Sequence, residues 1–468
     1  MSKLPLGVPA REGFAAVGIG LLGAAAFPPI GFYFCGMIAP VLLLLLLRKQ
    51  NTQIARNLAL VFGITYAIST MYWMWVLFGP QAIPLWGLMA GYFGLFGTLV
   101  GVCRDYRPWL RAALVALFAV GLEWLRGDAW YLRFPWYTPP HALAQQPVWI
   151  APAHWLGVYG FSFVIWLVAG LGAFRHMTLW TFFLLFPLAS FLLPAVDSPN
   201  RTALLIQAES EVDIKDLIAA TTTTAVDLAI FPELAFLRSP SQALASPYGP
   251  VLLARKTHSP VVFGAADGDY HGMKFLNLAA VIDESGKLLG TFQKQRPVPL
   301  MGDGEPGTER PVFSVGQDVL GVAICYDFDG PAVANSLVSS GATVLVVPTL
   351  DAIWWTRVQH AHHELLLRIR AVENDRWVLR AASSGRSEVI DPHGVASAKG
   401  VEIGDVGSIT LPFAHRSSFA LGGKLSPLGP VFCAGTLGFA MLSLITMWRQ
   451  RLGRQIQKLH VSGSSTRT

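Results

Sequence analysis

Three side chains that could carry out acyl transfer stand where short apolar runs end. Glu233, Lys294 and Cys325 each follow directly on such a run, and a β-strand that ends in a polar side chain is well suited to line a catalytic cleft. A cysteine nucleophile reacts as a thiolate, and it needs a base for the protons and a donor for the oxyanion. We therefore predict Cys325 as the nucleophile, Glu233 as the base and Lys294 as the stabilising cation. Backbone N–H groups after Cys325 would complete the oxyanion hole.

Each of these residues also has a structural interpretation. A cysteine at a strand end is usually a small buried hydrophobe, and a lone Glu or Lys beside a strand is usually solvated. The occurrence of all three in this order, each at a predicted strand end, favours the catalytic interpretation. Cys325 also lacks a disulfide partner in its own segment, because Cys35, Cys103 and Cys433 fall in or beside long apolar stretches.

The segment 197–420, which must position these side chains, has the pattern of an α/β domain. Short apolar runs alternate with helical stretches, which is typical of β-sheets covered by helices. The clearest helix is predicted over 359–375, and the residues at 283–286 predict a hairpin turn. Strands are predicted at 204–208, 227–231, 261–265, 278–282, 287–290, 342–348, 377–382 and 388–390.

The remainder of the chain has the composition of a membrane protein. The 468 residues are 53% hydrophobic and only 14% charged, whereas soluble domains average about 25% charged residues. We predict a transmembrane helical bundle of about seven spans over 1–196, a C-terminal transmembrane helix over 421–450 and a basic cytoplasmic tail over 451–468. Apolar stretches near the 20 residues that cross a bilayer lie at 12–29, 31–48, 57–78, 84–103, 110–126, 157–174, 177–195 and 428–448.

The distribution of Lys and Arg predicts the orientation. Basic residues fill every second loop and the C-terminal tail, and such loops face the cytoplasm. Both termini are therefore predicted to be cytoplasmic, and the domain 197–420 to lie on the other side of the membrane.

The same charges argue against other partners. The pI of about 9.2 comes largely from these juxtamembrane residues, so we do not expect nucleic-acid binding.

His360, His362 and His363 lie on the predicted helix without a paired acidic ligand, and we expect a solvated cluster rather than a metal site. No cofactor is predicted.

These motifs resemble a known family. The order Glu, Lys, Cys with these flanks resembles the nitrilase superfamily, and nearly the whole chain is similar to the apolipoprotein N-acyltransferases. In the apolar part the resemblance includes Phe134-Pro135-Trp136 and the stretches 27–32, 72–76, 123–127 and 157–163. In the domain it includes Phe231-Pro232-Glu233, Ile324-Cys325-Tyr326-Asp327 and Asp351-Ala352.

The resemblance implies a fold and a reaction. The fold would be a multi-pass α-helical membrane bundle plus an extracytoplasmic α/β nitrilase-like domain, an αββα sandwich. Cys325 would take an acyl chain from a membrane phospholipid as a thioester, and the N-terminal amine of an apolipoprotein would then attack that thioester. The location would be the bacterial inner membrane, with the domain on the periplasmic side.

Aromatic side chains before the sixth predicted span suit a lipid interface. Trp130, Phe134, Trp136 and Trp149 are of the type enriched where membranes meet water. We predict them to contact substrate or membrane. An aromatic belt without a role in substrate binding is the alternative.

The chain also departs from the family pattern. The family has Glu after Cys-Tyr, where this chain has Asp327, and the supporting glutamate after the lysine could be replaced by Asp303 or Glu305. Two alternatives follow for the function. One is a diverged membrane-anchored amidase or acyltransferase that acts on another amine or amide, and the other is an inactive lipid-binding membrane protein.

Overall fold

The first half of the chain is helical. The computed structural model describes residues 7–397, 400–425 and 428–464, and the helices before residue 196 share one apolar core. They are α1 (Ala10–Ala24), α2 (Cys35–Leu47), α3 (Thr52–Thr70), α4 (Met74–Phe78), α5 (Ala82–Val102), α6 (Pro108–Asp128), α7 (Pro139–Leu143), α8 (Pro147–Ile150), α9 (Ala153–Phe174) and α10 (Leu185–Leu188).

Four helical segments within the described residues are long and apolar enough to cross a membrane. They are Met74–Val102, Pro108–Asp128, Ala153–Phe174 and Leu421–Thr446. The first half is thus compatible with a membrane bundle. The span predicted at 177–195 is instead a series of short 3₁₀ and α turns over Met177–Leu192.

The chain returns to the bundle at its C-terminal end. The structure describes two helices in this region, α16 (Leu421–Leu425) and α17 (Leu428–Ser464). Helix α17 packs on α6, where its Thr436 hydroxyl donates to Leu117 O at 3.0 Å. The helix continues through the first part of the predicted tail, 451–468. Residues 465–468 of that tail and residues 1–6 of the predicted bundle lie outside the described residues.

Small residues allow two bundle helices to approach closely. A Cβ added to Gly97 of α5 would lie 2.5 Å from the Ala59 Cβ and 2.6 Å from the Ala55 carbonyl oxygen of α3. Small residues at such contacts are typical of helix pairs in membranes. This contact fixes α5, which forms part of a cavity wall described below.

Residues 201–413 form two β-sheets. One has the order β11-β1-β2-β3-β4-β5 and the other β10-β9-β8-β7-β6, with parallel pairing at the centre of each sheet. The strands are β1 (Arg201–Gln207), β2 (Leu228–Ile230), β3 (Val261–Asp269), β4 (Lys274–Ile282), β5 (Leu288–Gln293), β6 (Val312–Val315), β7 (Asp318–Val322), β8 (Val344–Thr349), β9 (Trp377–Ala382), β10 (Glu388–Ile390) and β11 (Gly407–Phe413).

The sheets are buried on both faces. In β1, Ala203 and Leu205 point into the core between the sheets, while Leu204 and Ile206 point toward the outer helices, as the period of two requires. Burial on both faces explains why the strands read as apolar runs without polar alternation. Three helices cover the outside of the first sheet: α11 (Glu211–Ala220), α12 (Pro240–Leu244) and α13 (Pro250–Thr257).

Two further helices, α14 (Pro331–Ser339) and α15 (Arg357–Asn374), cover the second sheet. The result is the predicted αββα sandwich. Helix α15 also joins the two parts of the molecule, because its Leu367 packs in the core of the sandwich while its Leu366 and Ile369 pack in the core of the bundle.

The position of α15 corrects one expectation from the sequence. His360, His362 and His363 are each no more than 2% exposed, so the prediction of a solvated cluster was wrong. A helix keeps one face in solvent only when it packs against a single partner. Helix α15 packs against both the sandwich and the bundle. Within the described residues no group of three or more His, Cys, Asp or Glu side chains could hold a metal ion.

Candidate active site

A buried ion pair forms the centre of the site. Lys294 follows β5 and Glu233 follows β2, and the Lys294 ammonium donates to Glu233 Oε1 at 2.7 Å. The other carboxylate oxygen, Oε2, accepts from the Leu350 N–H at 2.7 Å, at the end of β8. Both side chains are almost fully buried. Polar groups at three strand ends therefore hold one another in place.

Asp303 is a second carboxylate on the same lysine. Its Oδ2 lies 2.5 Å from the Lys294 ammonium and accepts from the Val298 N–H at 2.8 Å. Glu305, the alternative supporting residue, is exposed, and its backbone N–H donates to Phe275 O. The contacts therefore favour Asp303 as the supporting carboxylate.

Asn277 of β4 belongs to this group although the sequence analysis did not select it. Its amide donates to Glu233 Oε1 at 2.7 Å and to Asp303 Oδ1 at 3.1 Å. The signal was a single asparagine inside the apolar run of β4. A buried polar residue in a strand has to find partners, and here both are carboxylates of the site.

Cys325 sits on a sharp turn after β7. Its φ of +49° lies in the left-handed region, which is unusual for a residue with a side chain and is held here by its surroundings. A short 3₁₀ turn, Cys325–Phe328, begins at this residue, so the backbone N–H of Tyr326 lies at the start of a helical turn, where such groups lack intrahelical partners. The thiol lies 3.8 Å from Leu350 O.

Asp327 fixes this turn. Its Oδ2 accepts from the Ile324 N–H at 3.1 Å, and its Oδ1 accepts from the N–H groups of Gln295 and Arg296 at 3.0 and 2.7 Å. Burial raises the pKa of Asp327 to about 6, although Lys294 and the N–H groups of Ile324 and Arg296 lower it. The carboxylate thus connects the cysteine turn with the loop that follows Lys294.

The protonation states follow from burial and charge. Burial raises the pKa of the Cys325 thiol well above its ordinary value and the Glu233 carboxylate raises it further, while Lys294 lowers it. Burial also raises the pKa of Glu233, against the lowering effect of Lys294. Burial alone would lower the pKa of Lys294, but Asp303 and Glu233 hold it well above its ordinary value. The resting site thus holds a thiol, a carboxylate of raised basicity and an ammonium.

A buried network of charged side chains lies on the apolar-cavity side of the cysteine. His363 Nδ1 is 2.9 Å from Asp351 Oδ1, and its Nε2 is 3.1 Å from Asp329 Oδ1. Arg380 pairs with Asp351, and the Trp136 indole donates to Asp329. Burial would lower the pKa of His363, but the two aspartates raise it to about 9. Of these residues the sequence analysis selected only Trp136, as an interface aromatic. It gave the four charged residues no role in the site, because no spacing in the chain links them.

Two cavities meet at Cys325. We call the first the reaction pocket, about 420 Å³, with Glu233, Lys294, Asp303, Tyr270, Trp355 and Cys325 among its lining residues. We call the second the apolar cavity, about 940 Å³, which extends to Cys325 from the bundle. Its lining includes Met74, Leu77, Leu85, Met89, Tyr92, Phe134, Trp136, Leu300 and Met301.

The predicted interface aromatics occupy different positions. Phe134 and Trp136 stack with ring centroids 5.3 Å apart, and both line the apolar cavity. Trp130 is 39% exposed, and Trp149 is half-buried against Tyr33. Contact of these residues with lipid or substrate stays a prediction.

Comparison with known proteins agrees with this architecture. The family model described as apolipoprotein N-acyltransferase N-terminal domain matches residues 19–171, and the model described as carbon-nitrogen hydrolase matches residues 207–405. An apolipoprotein N-acyltransferase of Geobacter metallireducens is 25% identical over 454 residues, covering 83% of this chain and 86% of the relative. The enzyme of the same name from a Nostoc species is 25% identical over 391 residues, covering 71% and 77%.

A solved structure resembles the sandwich domain alone. It is a mutant of the Nesterenkonia AN1 amidase from the nitrilase superfamily, with 23% identity and a TM-score of 0.38, covering 47% of this chain and 93% of that one. The sandwich fold and the family match over residues 207–405 define an enzyme of the carbon-nitrogen hydrolase class. The helical bundle matches a second family model, over residues 19–171, and this match narrows the class of enzyme to one family. The chain belongs to the apolipoprotein N-acyltransferase family.

Proposed function

We propose that this enzyme transfers a fatty acyl chain from a membrane phospholipid to the N-terminal amine of an apolipoprotein, through Glu233, Lys294 and Cys325. The names of its relatives support lipoprotein N-acylation as the reaction. The observation that carries the proposal is the position of Cys325, which borders both the apolar cavity and the reaction pocket. The first suits an acyl chain, and the second suits an amine and its protons.

In the first step the enzyme is acylated. Glu233 takes the thiol proton while the Cys325 sulfur attacks the ester carbonyl of the phospholipid. The carbon–sulfur bond forms, the ester carbon–oxygen bond breaks, and the proton on Glu233 passes to the departing glycerol oxygen. Lys294 and the Tyr326 N–H stabilise the oxyanion. The products are a thioester and a lysophospholipid.

In the second step the acyl group moves to the acceptor. A free α-amine has an ordinary pKa of about 8, so a neutral fraction is present at physiological pH. Its nitrogen attacks the thioester carbonyl, the carbon–nitrogen bond forms and the carbon–sulfur bond breaks. Glu233 takes a proton from the amine and returns it to the sulfur, which restores the thiol.

The positions of basic residues support a periplasmic domain in the inner membrane of a bacterium. Arg111 donates to Arg48 O at 2.9 Å and Arg48 donates to Ala173 O at 3.3 Å, so basic loops meet at one end of the bundle. Helix α6 begins near that end and finishes at Asp128, which pairs with Arg296 of the sandwich domain. The 21 residues of α6 span about 30 Å, so the domain lies at the far end from the basic loops. Basic loops face the cytoplasm.

The acceptor step can be tested with a synthetic lipopeptide. The protein in detergent is incubated with phosphatidylethanolamine and a peptide whose N-terminal cysteine carries an S-diacylglyceryl group and a free amine. Mass spectrometry is expected to show one added acyl chain on the amine, and none with Glu233→Gln or with an N-acetylated peptide. Consumption of phospholipid without acylation of the peptide would contradict the apolipoprotein acceptor and support a diverged acyltransferase.

A further inference from the structure

Arg133 is a positively charged side chain on the wall of the apolar cavity. It lies on the segment between α6 and α7, its side chain is half-buried, and its Nε is buried without a hydrogen-bond acceptor. Its guanidinium forms no hydrogen bond or ion pair within the part of the chain that the structure describes. A buried donor of this kind requires an acceptor, and none of the described residues supplies it.

The neighbouring carboxylates are already occupied. Asp128 and Asp327 attract Arg133 electrostatically. However, Asp128 pairs with Arg296 at 2.6 Å, and Asp327 accepts three backbone N–H groups. Burial lowers the pKa of Arg133 and the positive charge of Arg296 lowers it further. The cation is therefore poorly compensated, and an anionic ligand would be stabilised there.

A second cation on the cavity wall is less available. Arg126 is 7% exposed, and its Nη1 donates to Phe134 O at 2.7 Å. Part of its hydrogen-bonding capacity is thus used to hold the segment that carries Arg133. The freer of the two guanidinium groups is that of Arg133.

Arg133 is also fixed close to the candidate nucleophile. The Tyr326 hydroxyl donates to the Arg133 carbonyl oxygen, and Tyr326 directly follows Cys325. Arg133 and Cys325 both line the apolar cavity, so a ligand held by this guanidinium would share the cavity with the thiol. In a phospholipid the phosphate and the ester carbonyl are separated by only a few bonds of the glycerol unit.

We propose that Arg133 binds the phosphodiester of the phospholipid donor and so places the ester carbonyl at Cys325 with the acyl chain in the apolar cavity. The proposal rests on the proposed function. It adds the residue that binds the phosphate of the donor, which the proposed function does not specify. A guanidinium presents a planar fork of N–H donors that matches two phosphate oxygens. The role is one of positioning and donor selection, since Arg133 does not act on the reacting atoms.

The test compares two acyl donors that differ in phosphate. The full-length protein in dodecyl maltoside is incubated with dipalmitoyl phosphatidylethanolamine or with p-nitrophenyl palmitate, and the rate of thioester formation is followed by intact-protein mass spectrometry. Arg133→Gln loses the charged hydrogen bonds to the phosphate, which are stronger than neutral ones. Arg133→Gln is therefore expected to lower the ratio of the phospholipid rate to the p-nitrophenyl ester rate at least about tenfold. Arg133→Lys is expected to show a smaller loss, because charge remains without the fork.

Arg104→Gln is the matched control. Arg104 is an exposed arginine paired with Asp105 at the opposite end of α6, and its substitution should leave the ratio at the wild-type value. An unchanged ratio in Arg133→Gln, or equal loss with both donors, would overturn the assignment of the phosphate to Arg133. A wild-type protein that reacts with the p-nitrophenyl ester but never with the phospholipid would overturn the donor step of the proposed function itself.

Discussion

Asp327 accepts a hydrogen bond from the Arg296 N–H at 2.7 Å, and this contact joins the two sheets at the site. Lys294 stands at the end of β5 in the first sheet, and Cys325 stands after β7 in the second. The same carboxylate also accepts from the N–H of Ile324. A single side chain therefore fixes the position of the candidate cation relative to the candidate nucleophile.

Removal of this carboxylate should loosen both loops. Asp327→Ala leaves three buried N–H groups without an acceptor, and each such loss costs about 1–3 kcal/mol. We expect the free energy of unfolding to fall by at least about 2 kcal/mol and thioester formation to slow. Chemical denaturation in detergent checks the first effect. Glu284→Ala, in an exposed turn, is the control, and an Asp327→Ala protein as stable as this control would refute the connecting role.

Asp303 and Glu305 can be distinguished by a pair of isosteric variants. Asp303 contacts the Lys294 ammonium, whereas Glu305 is exposed. Asp303→Asn is expected to slow thioester formation about a hundredfold, because a proton-transfer network loses one of its charges. Glu305→Gln should change the rate less than about twofold, as for most surface substitutions. The reverse order of effects would show that the supporting carboxylate has been misassigned.

The sequence identified those candidate site residues that can be recognised from a single strand end. Glu233, Lys294 and Cys325 each mark the end of an apolar run, and such runs are visible without knowledge of neighbouring strands. The sandwich fold follows from the same runs, because strands covered on both faces show no polar alternation.

Features that depend on long-range packing could not be predicted. The burial of His363 depends on a helix that packs against the sandwich on one side and the bundle on the other. The helix's own sequence mixes polar and apolar residues and does not reveal that it has two packing partners. Likewise, the choice between Asp303 and Glu305 depends on the path of a loop. Hydropathy alone predicted a span at 177–195, but it does not report whether one continuous helix forms.

The charge on His363 should make stability depend on pH. Its pKa of about 9 in the folded protein lies above the ordinary value of 6.5. A raised pKa means that the stabilisation is complete below about pH 6.5 and is lost as the pH rises through 9. We expect the free energy of unfolding to fall by at most about 3 kcal/mol between pH 6 and pH 10 through this group.

The pH effect can be isolated with one variant and one control. Denaturation of His363→Gln, measured from pH 6 to pH 10, should show a smaller decrease than the wild type. His271→Gln, at an exposed position, should follow the wild-type curve. If His363→Gln retains the full wild-type decrease, the imidazolium between Asp329 and Asp351 is not its source.

Filling the apolar cavity should shorten the acyl chain that the enzyme accepts. Met89 of α5 is 4% exposed and lines the cavity, so Met89→Trp would occupy space along its wall. Leu95→Trp, on the same helix but 41% exposed, is the matched control. With mixed-chain phospholipids, we expect mass spectrometry to show a shift toward shorter acyl adducts in Met89→Trp alone. Identical adduct profiles in both variants would place the acyl chain elsewhere.

The central claim is that Cys325 receives an acyl chain from a phospholipid. The most direct test is intact-protein mass spectrometry of wild type and Cys325→Ala after incubation with phospholipid vesicles and without an acceptor. We predict one fatty-acyl mass increment on the wild type, removed by hydroxylamine as a thioester would be, and none on Cys325→Ala. An unmodified wild-type protein that remains folded, or an adduct that persists in Cys325→Ala, would contradict the account.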